Sequence, residues 1–172
     1  MSITTAVVVG NPKPQSRTYE AAKLVVGQLT GREPDLSIDL VDFGASLLDW
    51  SSARVAESIS SIEGSDLVVF ASPTYKATYT GLLKLFLDRI RGGALAGVTA
   101  IPLMLGGDWR HSLAPEVFLK PVLAELGASC PTRGLFLLES EYSGSVALEN
   151  WLQVARPQLA GATAAVQSVV AR

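Results

Sequence analysis

The sequence predicts an α/β fold, a central sheet of five parallel strands with helices on both faces. Three observations carry this expectation. Short apolar, β-branched segments recur along the chain, and each is followed by a longer stretch with helical spacing. Two of them, Ile3–Val9 and Leu67–Ala71, are apolar almost without a break, as strands buried on both faces must be. Strands alternating with helices of this length need right-handed crossovers, and five such units make a three-layer sandwich. The strand order expected is 2-1-3-4-5.

Taken in order, the first strand covers Ile3–Val9. Ser16 or Thr18 then caps a helix running to about Leu29, with Ala22, Val25, Val26 and Leu29 on its buried stripe and Gly31 as its stop. Leu36–Phe43 alternates at first, with Leu36, Ile38 and Leu40 set against Ser37 and Asp39, and so reads as a half-exposed edge strand. Ser52–Ile62 places Val55, Ile59 and Ile62 on one helical face. Leu67–Ala71 is the third strand, and Thr80 precedes a helix over Gly81–Ile90. Val98–Leu105 reads as the fourth strand, although Pro102 is awkward in an interior position. Ser112 precedes a helix over Leu113–Leu126, and Gly134–Leu138 is the fifth strand. Ser143 or Ser145 begins a last helix that Pro157 must kink or restart.

Composition limits the partners. The 172 residues suit one domain spanning 1–172, large enough for a full core. Only 17% of residues are charged, against roughly 25% in an average soluble domain, so we expect self-association. The net charge of −2 and the scattered Lys and Arg argue against nucleic acid. Met1–Gly10 has no basic residue ahead of its apolar run and does not read as a secretory signal. The uncharged stretches Gly92–Gly107 and Pro157–Ala171 are shorter than the ~20 residues that span a bilayer. The single cysteine, Cys130, allows no internal disulfide and suits a reducing cytoplasm.

In a sheet of this order, ligands bind beyond the carboxyl ends of the strands where the strand order reverses. The loop after strand one, Gly10–Thr18, supplies the amide of Asn11, the hydroxyls of Ser16 and Thr18, free N–H groups at a helix start, and the charges of Lys13 and Arg17. It is neither G-x-G-x-x-G nor a triphosphate loop, and suits a terminal phosphate monoester. After strand three, Pro73 fixes the chain, so the next backbone groups can face the edge of a planar heterocycle. Tyr75 and Tyr79 add flat surface there, Tyr79 open between packing and ligand roles. After strand four, Gly106 and Gly107 allow close backbone approach. His111, the only histidine, stands at a helix start. No metal-ligand spacing, nucleophile elbow or acid–base pair is found, so no catalytic side chain is assigned.

Together the three loops resemble those of the NADPH-dependent FMN reductase family, within the flavodoxin-like superfamily. The family's Gly-Ser-x-Arg-x-x-Ser-x-Thr loop corresponds to Gly10–Thr18, with Asn11 and Lys13 where the family has Ser and Arg. Ser72-Pro73-Thr74-Tyr75-Lys76 through Gly81–Asp88 is similar to its flavin-ring loop and the following helix. Gly106-Gly107 with His111, then Leu119–Leu123, resembles the reductases of two-component flavin monooxygenases. The resemblance implies that Asn11, Lys13, Ser16, Arg17 and Thr18 hold the FMN phosphate. It implies likewise that Pro73, Thr74, Tyr75 and Lys76 line the ring and that Gly106, Gly107 and His111 close its other side. The reaction implied is hydride transfer from NADPH or NADH to FMN, with reduced flavin passed to a monooxygenase. An FMN-retaining quinone, azo or chromate reductase is the alternative enzyme. A flavodoxin-like electron carrier is the alternative of another class, although a net charge of −2 offers little acidic docking face. The family forms dimers or tetramers. Leu82, Leu83, Leu85, Phe86, Leu87 and Ile90 cover more than the roughly 100° stripe of a helix facing one core, which points to residues 80–91 as the subunit contact.

Overall fold

The computed structural model describes residues 3–170, with side-chain surroundings up to 161. Met1 and Ser2, at the start of the N-terminal run, and Ala171, at the end of the second uncharged stretch, lie outside the described residues. The strands are β1 (Thr5–Val9), β2 (Leu36–Asp39), β3 (Leu67–Pro73), β4 (Thr99–Gly106) and β5 (Leu135–Leu138). They pair in parallel in the order 2-1-3-4-5, as expected. The helices are α1 (Arg17–Thr30), α2 (Ala53–Glu63), α3 (Gly81–Leu87), α4 (Lys120–Glu125) and α5 (Val146–Val170).

The apolar runs are continuous because both faces of the sheet are covered. Ala6, Val8, Val68 and Phe70 point to one side, where they pack with Val55, Ile59 and Ile62 of α2, Leu83 and Phe86 of α3, and Leu123 of α4. Their neighbours Val7, Val9, Leu67 and Val69 point to the other, against Val25 and Val26 of α1 and Leu148 and Leu152 of α5.

Ser16 caps α1, and Gly31 ends it at φ 74 with its N–H on the Gly27 carbonyl. β2 stops at Asp39, four residues short of Phe43, and the chain continues through 3-10 turns over Leu40–Leu47 that bury Leu40, Phe43 and Leu47. Asp39, expected on the exposed side, is buried at 8% exposure. Pro102 sits inside β4 at no cost in pairing. Residues of a parallel strand face alternate neighbours, and the Ala100 N–H bonds Ser129, on the β5 side. Pro102 therefore faces that side too, where pairing with β5 begins only at Leu103 opposite Leu135.

The fourth helical stretch is not regular. A π-helical segment, Pro115–Leu119, runs into α4, with the Lys120 N–H on the Pro115 carbonyl. Pro121 accounts for this, since its ring would collide with the carbonyl four residues back in an ordinary helix, and widening the turn relieves the clash. α5 continues across Pro157 as one element rather than restarting. No helix among the described residues is long and apolar enough to cross a membrane.

Candidate functional site

The loops after β1, β3 and β4 leave the sheet at the same edge and are tied to one another. Thr80 makes the first tie. Its hydroxyl donates to the Gly10 carbonyl (2.6 Å) and accepts from the Leu83 N–H (3.1 Å), so one side chain caps α3 and fastens it to the end of β1. The Thr80 N–H in turn donates to Ser72 Oγ (3.0 Å). Gly10 is required there because a Cβ would lie 2.4 Å from that of Leu83. The sequence marked Thr80 as a cap, but its contact with residue 10 leaves no local trace.

The first loop is internally braced. Asn11 is buried, donates through Nδ2 to Thr18 Oγ1 (3.0 Å) and accepts the Lys13 N–H (2.9 Å). Ser16 Oγ accepts the Tyr19 N–H (3.3 Å). The Ser16 and Thr18 hydroxyl protons and the Arg17 and Thr18 N–H groups are left for a ligand, since the first N–H groups of a helix have no partner within it. α1 is 14 residues long, so its N-terminal dipole adds to their pull on an anion. Lys13 is exposed and forms no ion pair among the described residues; Arg17 lies 3.5 Å from Glu139 in an open contact that a phosphate can displace. The donor set fits a phosphate monoester.

The second loop holds a tight turn. Tyr75 and Thr78 exchange backbone hydrogen bonds (2.9 and 3.2 Å), while Lys76 and Ala77 between them have φ of 53° and 69°. Two consecutive positive φ values define a mirror-image turn that ordinarily selects Asn and Gly. The turn leaves Tyr75 half exposed beside the sheet edge. Tyr79 packs against the α2–α4 core, and burial raises its hydroxyl above the usual range, which favours the packing role.

The third loop closes on the second. The Thr74 N–H donates to the Leu105 carbonyl (2.6 Å). A Cβ on Gly106 would lie 3.3 Å from Thr74 Oγ1 and 2.6 Å from the Phe136 ring, so only glycine lets these groups meet. Thr74 Oγ1 is buried there with no hydrogen bond, a polar atom awaiting a partner. Gly107 is exposed, and Asp108 caps the turn Trp109–His111 by accepting the Arg110 N–H (2.8 Å), which holds its carboxyl below the ordinary range. Arg110 is also paired with Asp108 through its side chain. His111 is partly exposed, and its ring makes no hydrogen bond among the described residues. Trp109 lies against Phe136, ring centres 5.7 Å apart. Cys130 is half buried after α4, and desolvation pushes its thiol up to about 11, away from the range of a reactive thiolate.

All twelve sequence-selected residues thus stand in the three loops or at the strand and helix ends that border them, on one edge. Two cavities, ≈ 420 and ≈ 400 Å³, lie to the side, along β5 and around the Ser140–Ala147 segment, and share only Trp109 and Ser112 with these loops. Sequence reasoning missed Ser72, Gln15 and Asp39, which shape the loops through backbone contacts. Positive φ at Gln15 has no sequence signal beyond its place between Pro14 and the cap.

Comparison with known proteins gives the chain a family. The family model described as NADPH-dependent FMN reductase matches residues 3–143. An NADH-dependent FMN reductase, SfnF, of Pseudomonas putida is 31% identical over 142 residues, covering 78% of this chain and 76% of its own. An FMN reductase (NADPH) of Escherichia coli (strain K12) is 30% identical over 138 residues, covering 78% and 72%. The apo form of an NADH:FMN oxidoreductase, EMOB, superimposes with a TM-score of 0.82 at 30% identity, over 91% of this chain and 88% of that one. The chain belongs to the NADPH-dependent FMN reductase family.

Proposed function

We propose that this chain is an NAD(P)H:FMN oxidoreductase, a single flavodoxin-like unit over 1–172 that binds FMN across its three loops. The observation that carries the reading is that the Thr80 clamp fastens the end of β1, which leads into the donor set at Ser16–Thr18, to the end of β3, which leads into the Thr74–Gly106 junction. Ser16, Arg17 and Thr18 bind the phosphate, Lys13 adds charge, and Asn11 holds Thr18 in place. Pro73, Thr74, Tyr75 and Lys76 flank the ring. Gly106 and Gly107 admit the ring closely, and His111 borders the opening. Bound FMN supplies the hydride acceptor, which is why no acid–base pair is needed in the protein. The protein's part is to hold two rings face to face and keep water out.

The relatives divide between NADH and NADPH, so both nicotinamides are substrates to be tried. Release of reduced flavin to a flavin-dependent monooxygenase, in a reducing cytoplasm, completes the reading. Self-association through residues 80–91 is part of it, with a change of emphasis. Leu83, Phe86, Leu87 and Ile90 are spent on the core, whereas Leu85 of α3 and Leu113, Val117 and Phe118 at the π-helical segment are exposed. Light scattering of the purified chain is expected to give a dimer or tetramer, and Phe118→Lys with Leu85→Lys a smaller species. The central test follows oxidation of NADPH and NADH by the near-ultraviolet absorbance of the reduced nicotinamide. FMN-dependent turnover with at least one of them is expected; none with either rejects the function.

A further inference from the structure

The end of β2 carries a charged group with no evident structural reason to be there. Asp39, paired in register with Val9, is 8% exposed. Its Oδ2 accepts the Gln15 N–H at 2.9 Å, while Oδ1 is buried and has no hydrogen bond. The Val41 N–H lies nearby without closing on Oδ1, Asp42 adds a repulsive charge, and no Lys, Arg or His among the described residues pairs with Asp39. Desolvation raises its carboxyl above the ordinary range, so the ionised form weighs against folding. A half-satisfied buried carboxylate kept under these conditions points to a role other than stability.

Its one firm contact falls at a decisive place. Gln15 has φ +46°, left-handed for a residue with a side chain, and directly precedes the cap Ser16. The four residues Pro12–Gln15 are all exposed, and among the described residues the only brace at their far end is the Asn11 bond to Lys13. We propose that Asp39 is a positioning residue for phosphate recognition: by accepting the Gln15 N–H it holds the left-handed turn that aims the Ser16, Arg17 and Thr18 donors at the flavin's terminal phosphate. This role rests on the FMN reading. A carboxylate suits it because both oxygens accept, so neither orientation presents a competing donor to the N–H, and the charge strengthens the bond. Asp39 itself stays out of contact with the ligand, since its free oxygen has no exposed surface.

The test compares FMN with riboflavin, which has the ring and ribityl chain but no phosphate. Dissociation constants are read from flavin fluorescence for the wild type, Asp39→Ala and Asp39→Asn, with thermal unfolding of each apoprotein. The wild type is expected to prefer FMN. Asp39→Ala is expected to weaken FMN about tenfold or more, the loss of one charge-assisted hydrogen bond, and leave riboflavin almost unchanged. Asp39→Asn, which keeps an acceptor, is expected to recover part of the FMN affinity and to unfold no lower than the wild type. Equal weakening of both flavins, or of neither, in a wild type that does prefer FMN overturns the role of Asp39 alone. A wild type that binds both flavins equally overturns the phosphate cradle and this role with it.

Discussion

The two ends of the sheet are finished by opposite rules. At the amino ends of the strands, polar groups are paired and the backbone is relaxed. Asp35 Oδ2 takes both the N–H and the hydroxyl of Thr5 (2.8 and 3.0 Å), and the Asp35 N–H returns to the Thr5 carbonyl. Asp66 Oδ2 takes the Thr4 N–H, and the Asp66 carbonyl takes that of Thr99. At the carboxyl ends lie all three non-glycine residues with positive φ among those described, Gln15, Lys76 and Ala77, together with the unpaired Asp39 Oδ1 and Thr74 Oγ1. Thr132, just ahead of β5 and so at the amino end, is the one exception among the described residues. Left-handed backbone and unmet polar atoms cost stability, and they gather at the end where the ligand is proposed to bind. One end serves the fold, and the other is the end where we propose the flavin binds.

The sharpest way to break that division is to attack the point where the site end also serves the fold. Gly10→Ala sets a Cβ 2.4 Å from Leu83 Cβ and 3.0 Å from its Cα, so α3 itself must shift. Urea unfolding is expected to show a loss of about 3 kcal/mol, with FMN binding abolished. Thr80→Ala ranks second. It removes a helix cap and leaves the buried Gly10 carbonyl unpaired, for an expected loss of about 2 kcal/mol that Thr80→Ser largely restores. A change under half that size would show that the clamp is incidental.

Ala77→Gly sharpens the contrast from the other side. The position is left-handed (φ 69°), so glycine relieves strain and is expected to stabilise the apoprotein by about 0.5–1 kcal/mol. Flavin binding is expected to weaken as the Tyr75–Thr78 turn loosens. Destabilisation by this change would mean that the turn is packed for the fold and not held for the ligand.

What could be read from the sequence follows the same division. Periodicity is a property of burial, so the five strands, the α1 stripe, the Gly31 stop and the Thr80 cap were all visible, as was the grouping of the three loops once the strand order was assumed. Tertiary contacts at the site end were not. Alternation put Asp39 on the exposed face, because a single acid after Ile38 looks the same whether solvent or a backbone N–H satisfies it. The apolar breadth of residues 81–90 overstated what was left for a partner, since the sheet and the 3-10 turns after β2 absorb most of it. Pro121 carries no local sign of its structural effect, yet it accounts for the π-helical segment at which Val117 and Phe118 stand exposed.

The smallest effect is expected at the other end. The Arg32 guanidinium, and then the Thr5 N–H, hold the Asp35 carboxyl well below its ordinary range. In the native state it therefore gives up its proton more readily than in the unfolded chain, whose carboxyl titrates near about 3.9. The unfolded state binds more protons as pH falls through that region, so stability from this contact is present above it and lost below it. Asp35→Asn removes the titrating group, and its unfolding midpoint is expected to sit slightly below the wild type's at neutral pH and to converge with it in acid. Because Asp35 is partly exposed and its partner Arg32 is screened by solvent, the gap is modest. FMN affinity is expected to stay unchanged throughout. A shift in FMN affinity without a shift in acid stability would reverse the assignment of the two ends, since it would place ligand geometry under the control of a contact at the far end of β1 and β2.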